Sequence, residues 1–132
     1  MPKLTRLSVL ALTCLSSSCG LASTADVSDR CTGPVSVTVA PAELPTISWM
    51  PRCSADYVAV GYAGLNDVWW VYRLTGPGIL PDVRVGDSPP GTRTESSLSL
   101  IHGTEYSVSV GWRTVDSGAF KLGSWGSARF VY

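Results

Sequence analysis

Two alternating segments, about fifty residues apart, constrain the fold of this chain more than any other feature of its sequence. The first spans residues 47–50, where Trp49 belongs to an apolar/polar alternation that Pro51 ends. In the second, residues 105–110, Tyr106 heads an alternation of apolar residues with serines, directly after a Gly-Thr turn. A period of two places alternate side chains on opposite faces of a β-strand. Both segments are therefore predicted to be strands with one face in a core.

The rest of the chain carries the same pattern in short pieces. It contains 13 Gly and 9 Pro distributed along its length, and no window has sustained helical periodicity, which favours short strands joined by turns. The segment 75–91 is predicted to be mostly loop, with a short edge strand at residues 79–85, because prolines interrupt it. Further strands are predicted at residues 35–39, 46–50, 57–62, 68–74, 94–100, 105–114 and 124–132.

The two motifs together resemble a fibronectin type III domain, which is immunoglobulin-like. Trp49 matches the Trp that this family places in its core, and Leu100 and Tyr106 match the Leu and Tyr of its tyrosine corner. In that corner the phenol bonds to the backbone a few residues upstream. His102 stands where the family often has Pro. The resemblance covers residues 32–132 and implies an all-β, two-sheet β-sandwich of seven to eight strands.

The N-terminus has the features of an export signal. Lys3 and Arg6 precede an uncharged apolar stretch at residues 7–15. As a helix this stretch would reach about 13 Å, far less than the ~30 Å of a bilayer core. Residues 16–20, Ser-Ser-Ser-Cys-Gly, resemble a bacterial lipobox, although Ser16 replaces the usual Leu. In that family a peptidase cuts before the Cys, which is then lipid-modified.

The lipobox predicts a lipoprotein signal peptide at residues 1–18, a lipid-anchored tether at residues 19–31 and the sandwich at residues 32–132. Acylation of Cys19 would anchor the exported protein in the lipid bilayer of the cell envelope. The alternative is ordinary cleavage after Ala25, which would give a secreted or periplasmic protein. No later segment is long and apolar enough to be a transmembrane helix.

Export also determines the expected state of the four cysteines. Cys14 leaves with the signal peptide, and Cys19 is lipidated or also removed. Cys31 and Cys53 then remain as a pair in an oxidising compartment. A hairpin centred near Ala42 would place them opposite each other, and a disulfide closing this loop contributes about 3 kcal/mol. The alternative of two reduced thiols is disfavoured outside the cytoplasm. Fibronectin type III domains usually lack this bridge.

The sequence contains no recognisable catalytic or metal-binding constellation. His102 is the single His, on a predicted surface turn. Residues 86–88, Gly-Asp-Ser, are similar to the nucleophile block of some lipases, but the Asp-x-x-His that those enzymes need is missing. There is no CxxC, His pair or Asp-x-Asp run. Loss of Lys3 and Arg6 leaves 8 Lys+Arg against 10 Asp+Glu, a net charge of −2. We therefore expect no catalysis, no metal, no cofactor and no nucleic-acid partner.

The motifs above account for only two of the large aromatic residues, Trp49 and Tyr106, whereas the sequence contains five Trp and five Tyr. In residues 68–74 the even-numbered side chains form the more apolar face, which assigns Trp70 to the core and Trp69 to the outside. The alternative is that Trp69 packs under the loop at residues 75–91. Flat aromatic surfaces suit a protein partner or a sugar ring. The sequence thus predicts a non-catalytic cell-envelope lipoprotein for binding, adhesion or architecture, or alternatively a carbohydrate-binding module. Its candidate binding face is a floor of small residues edged by Trp69, Arg73, Tyr57 and Arg113.

Overall fold

Two antiparallel β-sheets make up the structure. The computed structural model describes residues 29–62, 67–96 and 99–132, where every regular element is a strand. The sheets have the strand orders β1-β2-β5 and β6-β4-β3-β7-β8, so the predicted all-β sandwich is confirmed at this level. None of the described segments is a helix that could span a membrane. The strands are β1 (Ser36–Ala40), β2 (Thr46–Met50), β3 (Tyr57–Tyr62), β4 (Asp67–Arg73), β5 (Val83–Arg84), β6 (Thr92–Ser96), β7 (Glu105–Asp116) and β8 (Ala119–Val131).

The core between the sheets is built from one face of each long strand. Valines of β3 and β7 alternate into it, and Ile47 and Trp49 enter it from β2. The indole N–H of Trp49 donates a hydrogen bond to the Cys53 carbonyl oxygen at 2.8 Å, so this large side chain is buried with its polar atom satisfied. The predicted core position of Trp49 is confirmed.

Tyr106 makes the backbone contact that the sequence predicts at the entry to β7. Its phenol oxygen accepts a hydrogen bond from the Ile101 backbone N–H at 2.8 Å, and the side chain is fully buried. The ring lies against Tyr62 and Phe130, with centroids 5.1 and 5.7 Å away. Leu100 is half-buried against the core. The turn before β7 is therefore attached to the centre of the sandwich.

The predicted disulfide between Cys31 and Cys53 is present, with Cα atoms 4.9 Å apart. Its surroundings differ from the expected hairpin ladder. Cys31 lies before β1, where its N–H donates to the Ser54 carbonyl oxygen at 2.9 Å, and Arg30 forms a parallel bridge with Ser54. The disulfide thus ties the N-terminal segment to the residues that precede β3.

The register of the β1–β2 hairpin also differs from the prediction. A turn centred on Ala42 predicts Val37 opposite Ile47, whereas Val37 lies opposite Trp49. The turn is centred on Glu43, because Ala40 pairs with Thr46 and five residues lie between them. A shift of two residues keeps the same side chains on the core face, so the predicted faces hold although the predicted pairs are wrong.

The segment between β4 and β7 crosses from one sheet to the other and back. β5 pairs with β2, within the short edge strand predicted at residues 79–85. β6 pairs with β4, and it begins and ends earlier than the strand predicted at residues 94–100. Before β5, Ile79 and Ala55 exchange two backbone hydrogen bonds of 2.8 Å. This close approach requires Gly78, since a Cβ there would lie 2.6 Å from the Ala55 carbonyl oxygen.

β7 and β8 extend beyond the rest of their sheet. β3 pairs with β7 only as far as Gly111, and residues 112–123 pair with each other around a two-residue turn. Ser117 and Gly118 have φ of 50° and 81°, as a tight hairpin requires. We call residues 112–123 the β7–β8 ribbon. It carries three large apolar side chains that are exposed: Val115, Phe120 and Leu122, at 67, 61 and 48 %.

We expect Tyr106→Phe to lower the free energy of unfolding by about 1 kcal/mol, because the Ile101 N–H loses its acceptor while the ring remains. Tyr132→Phe is the matched control. Its hydroxyl donates to the Glu43 carbonyl oxygen at 2.8 Å in an exposed position, so its loss should cost only a few tenths of a kcal/mol. Denaturant midpoints measure both variants. Equal midpoints for Tyr106→Phe and the unmodified protein would show that the hydrogen bond does not stabilise the turn.

Candidate functional site

A buried carboxylate organises the end of the sandwich where β3 begins. Asp56 is 2 % exposed. Its carboxylate accepts hydrogen bonds from the Arg30 guanidinium, from Arg73 Nε at 3.1 Å and from the Arg113 backbone N–H at 3.0 Å. Its backbone N–H donates to Gly111 at 2.9 Å, and its carbonyl accepts from the Arg73 N–H at 2.8 Å. Asp56 therefore joins the N-terminal segment, β3, β4 and β7.

Sequence reasoning missed Asp56. The available signal was an aspartate directly before the apolar strand Tyr57–Tyr62, in a chain whose other carboxylates are dispersed. Its partners are distant in sequence and come from three separate segments. Their convergence depends on strand register, which local pattern does not contain.

From Trp69 onward, β4 presents the opposite faces from those predicted, whereas Val68 lies in the core as predicted. Trp69 is 3 % exposed and lies in the main core, whereas Trp70 lies on the outer surface of the five-stranded sheet. The cause is the pairing with β3, which places Trp69 opposite Val60 and Trp70 opposite Ala59. Because Val60 faces the core, its neighbour must face it too. The expectation that Trp69 edges the binding face is corrected.

The outer surface carries a second, smaller apolar cluster. Tyr57, Ala59 and Tyr72 are buried there, with Trp70 packed against them. The Trp70 and Tyr72 rings lie 4.5 Å apart at 38°. Arg113 lies over the Tyr72 ring at 4.4 Å, measured from the guanidinium carbon to the ring centroid. We call Trp70, Tyr72 and Arg113 the aromatic platform.

Glu95 of β6 holds the platform in place. One carboxylate oxygen accepts from the Trp70 indole N–H at 2.9 Å, and the other accepts from the Tyr72 hydroxyl at 3.2 Å. Arg93 lies 3.4 Å from the same carboxylate. The two rings are thus fixed by hydrogen bonds as well as by stacking, which leaves them little rotamer freedom.

The other predicted face residues are partly brought together. Tyr57 and Arg113 share the outer surface, but Tyr57 is covered by its neighbours. Burial, with a further contribution from Asp67, raises the pKa of Tyr57, and burial alone raises the pKa of Asp67. Arg73 belongs to the Asp56 cluster and is not part of the platform. Trp70 takes the place that the sequence assigned to Trp69, and Tyr72, which is 7 % exposed, packs against it.

Arg113 connects the platform to the β7–β8 ribbon. Its guanidinium carbon is 3.8 Å from the Phe120 ring centroid, so the cation lies close to both Phe120 and Tyr72. Its Nη1 donates to the Arg73 carbonyl oxygen at 3.2 Å. Its Nε is buried without a hydrogen-bond partner in the part of the chain that the structure describes. The guanidinium is therefore held largely by aromatic faces.

Trp69 lines a cavity of about 320 Å³ between the sheet edges, together with Leu44, Val85 and Leu100. Its indole N–H is buried and has no hydrogen-bond partner among the described residues. Trp69 therefore differs from Trp49, whose N–H is satisfied. Trp69 contributes apolar packing to the core while leaving one polar atom uncompensated.

The remaining sequence candidates lie elsewhere. Cys19 and Ala25 fall outside the described residues. His102 is exposed and its ring stacks on Tyr132, 4.5 Å between centroids. In the segment 86–88, Asp87 pairs with Arg84, 3.5 Å away. The described ranges hold no group of three or more His, Cys, Asp or Glu side chains placed to bind a metal ion.

Comparison of this chain with protein-family models, curated proteins and solved structures found no match.

Asp56→Asn should lower the free energy of unfolding by about 2–3 kcal/mol, because the Asn amide cannot accept from all three donors and removes the charge facing two arginines. Asp82→Asn is the matched control. Asp82 accepts from Ser48 and Arg52 at 2.6 and 2.9 Å but is half exposed, so its loss should cost under about 1 kcal/mol. Chemical denaturation measures both variants. Equal losses would contradict the organising role of Asp56.

Trp69→Ala should destabilise the fold by about 3–5 kcal/mol through a core cavity. Trp70→Ala should cost clearly less, because Trp70 is partly exposed on the outer surface. Thermal and denaturant unfolding measure the difference. If Trp70→Ala unfolds the domain while Trp69→Ala leaves it intact, the strand has the orientation that the sequence predicts and not the one described above.

Proposed function

We propose that this protein is a non-catalytic, exported cell-envelope lipoprotein that binds a protein partner through the outer surface of its five-stranded sheet. The observation that carries the proposal is the aromatic platform. Trp, Tyr and Arg are the residues enriched at binding hot spots, where rigid side chains bury much area at little entropic cost. Here the Tyr72 ring contacts both the Trp70 ring and the Arg113 guanidinium, and Glu95 fixes both rings.

Beside the platform lies a strip of small residues that suits a flat partner. Ser109 of β7 pairs with Ala59 of β3 on one side and with Ser127 of β8 on the other, so all three share the outer surface. Rigid aromatic anchors next to adaptable serines are the composition that antibody binding loops use. The outer surface therefore combines the aromatic platform with a strip of small residues that leaves space for a partner's backbone.

The fibronectin type III type of the sandwich is part of this proposal. The hydrogen bond from Ile101 to Tyr106 and the buried Trp49 support it. The position of β6, which follows β5 in the chain and returns to the edge of the five-stranded sheet, is an addition to that pattern. This added strand carries Glu95, which bonds the two rings of the aromatic platform, so the platform depends on a strand that the fibronectin type III pattern lacks.

The proposed anchor is an acyl group on Cys19, and the sequence Ser-Ser-Cys-Gly at residues 17–20 supports it. Bacterial lipoproteins carry several acyl chains, and several chains hold a protein firmly on a membrane, whereas one chain holds it marginally. The buried disulfide between Cys31 and Cys53 fits an oxidising compartment. The binding surface would then operate close to a membrane.

Carbohydrate binding is the second candidate. A shallow pocket of about 220 Å³ on the outer surface is lined by Asp67, Trp70, Glu95 and Ser96. An indole edged by two carboxylates and a hydroxyl can stack on a sugar ring and accept hydrogen bonds from its hydroxyl groups. A glycan array tests this candidate directly.

Site-specific photo-crosslinking in intact cells tests the protein-binding proposal. A photoreactive phenylalanine derivative replaces Ser127 on the outer surface of the five-stranded sheet. The control position is Thr38, an exposed hydroxyl residue on the outer surface of the other sheet. We expect a discrete protein adduct from position 127, strongly reduced by Trp70→Ala, and none from position 38.

Adducts of equal yield from both positions would contradict a dedicated binding surface. If Trp70→Ala leaves the adduct yield from position 127 unchanged, the aromatic platform is not part of the binding interface. A positive glycan array without any protein adduct would favour the carbohydrate-binding candidate.

A further inference from the structure

One side of the β7–β8 ribbon exposes three large apolar side chains, next to Arg113, that the core of the sandwich does not use. Val115 pairs with Phe120, and Arg113 pairs with Leu122, so the three apolar side chains share the outer surface of the ribbon. About half or more of each is exposed. Exposed apolar clusters of this kind mark sites that contact another apolar phase or partner.

The N-terminal segment reaches the sandwich at the root of this ribbon. The Asp29 carbonyl oxygen accepts from the Ser54 N–H at 2.9 Å, and Arg30 bonds the Asp56 carboxylate. The same carboxylate accepts from the Arg113 N–H at 3.0 Å, where the ribbon leaves the sheet. Any membrane attachment upstream of Asp29 therefore acts on the end of the sandwich from which the ribbon projects.

The stretch from Cys19 to Asp29 and the β7–β8 ribbon have lengths that allow both to reach one bilayer surface. Ten residues lead from Cys19 to Asp29 and span at most about 35 Å when extended. Six residues from Gly111 to Ser117 carry the ribbon about 20 Å beyond the sheet. A chain anchored at Cys19 thus keeps the ribbon turn within reach of the bilayer surface.

We propose that the apolar side of the β7–β8 ribbon inserts into the interfacial region of the lipid bilayer as a second membrane contact. This inference rests on the proposed acyl anchor at Cys19. Phe120 supplies the aromatic ring, and Val115 and Leu122 extend the apolar area around it. Apolar side chains of this kind gain free energy when they leave water for the acyl boundary.

The contact is apolar and not electrostatic. On the ribbon Lys121 is neutralised by Asp116, 2.6 Å away. The Arg113 cation lies over Phe120 and Tyr72. Membrane binding through the ribbon should therefore depend little on salt or on anionic lipid, unlike binding by a basic patch.

Vesicle flotation of the exported chain carrying Cys19→Ser, with removal of the apolar segment at residues 7–15 verified by mass spectrometry, isolates the ribbon, because both the acylation site and the export signal are then gone. The probe is a vesicle of phosphatidylcholine, with a second preparation containing one-third phosphatidylglycerol. We expect measurable binding to both, reduced about tenfold by Phe120→Ser. Val131→Ser is the matched control, since Val131 lies on the same strand at 64 % exposure but at the opposite end of the sandwich, and binding should be unchanged.

Absence of vesicle binding by the Cys19→Ser chain overturns the inference, and so does an equal loss in Phe120→Ser and Val131→Ser. Since Phe120 also contacts Arg113, Val115→Ser provides a second variant with the same expected direction. A protein adduct in place of lipid labelling from a photoreactive residue at position 122 would show that the ribbon binds a protein. Mass spectrometry of the native N-terminus tests acylation separately, so failure of the anchor and failure of the ribbon give different results.

Discussion

The Asp56 carboxylate is the point on which the rest of this structure depends. Burying a carboxylate is unfavourable unless donors surround it, and here a guanidinium from each of two segments and a backbone N–H from a third do so. The donors can converge only when the N-terminal segment, β4 and β7 occupy fixed positions at one end of the sandwich. The nearby disulfide of Cys31 adds a covalent restraint to the same end. The cluster around Asp56 therefore fixes both the point where the N-terminal segment joins the sandwich and the point where the β7–β8 ribbon extends beyond the sheet.

Fixing the end of β4 also determines which of its faces is buried. Arg73 bonds Asp56 through both its side chain and its backbone N–H, and the ladder counted back from there pairs Tyr72 with Tyr57. Alternation from Tyr72 back along β4 then places Trp70 outward and Trp69 in the core. It ends at the register irregularity between Val60 and Gly61, where Val68 is in the core as well. The aromatic platform on the outer surface is in this sense a consequence of the ion pair at the strand end. Apolar residues on both faces let one strand serve the core and the surface together.

The sequence predicts the strands more successfully than their faces. Alternation alone locates Tyr57–Tyr62 and Thr46–Met50, and the Tyr106 hydrogen bond and the disulfide follow from motif and compartment. The face of β4 could not be predicted, because apolar residues occupy both faces and a period of two cannot choose between them. The choice is made by pairing with β3 and by Asp56, whose partners lie 17 to 57 residues away. The chemistry of the surface was predictable as aromatic, but not which Trp supplies it.

Arg113 links the two surfaces that this chain presents. Its guanidinium lies 4.4 Å from the Tyr72 ring and 3.8 Å from the Phe120 ring, so the platform and the ribbon share one side chain. Contact of Phe120 with a bilayer would restrict the rotamers of both residues, and Arg113 would lose less entropy when a partner then bound the platform. If both proposed contacts form, they share this guanidinium, and a free-energy coupling between them would be reciprocal.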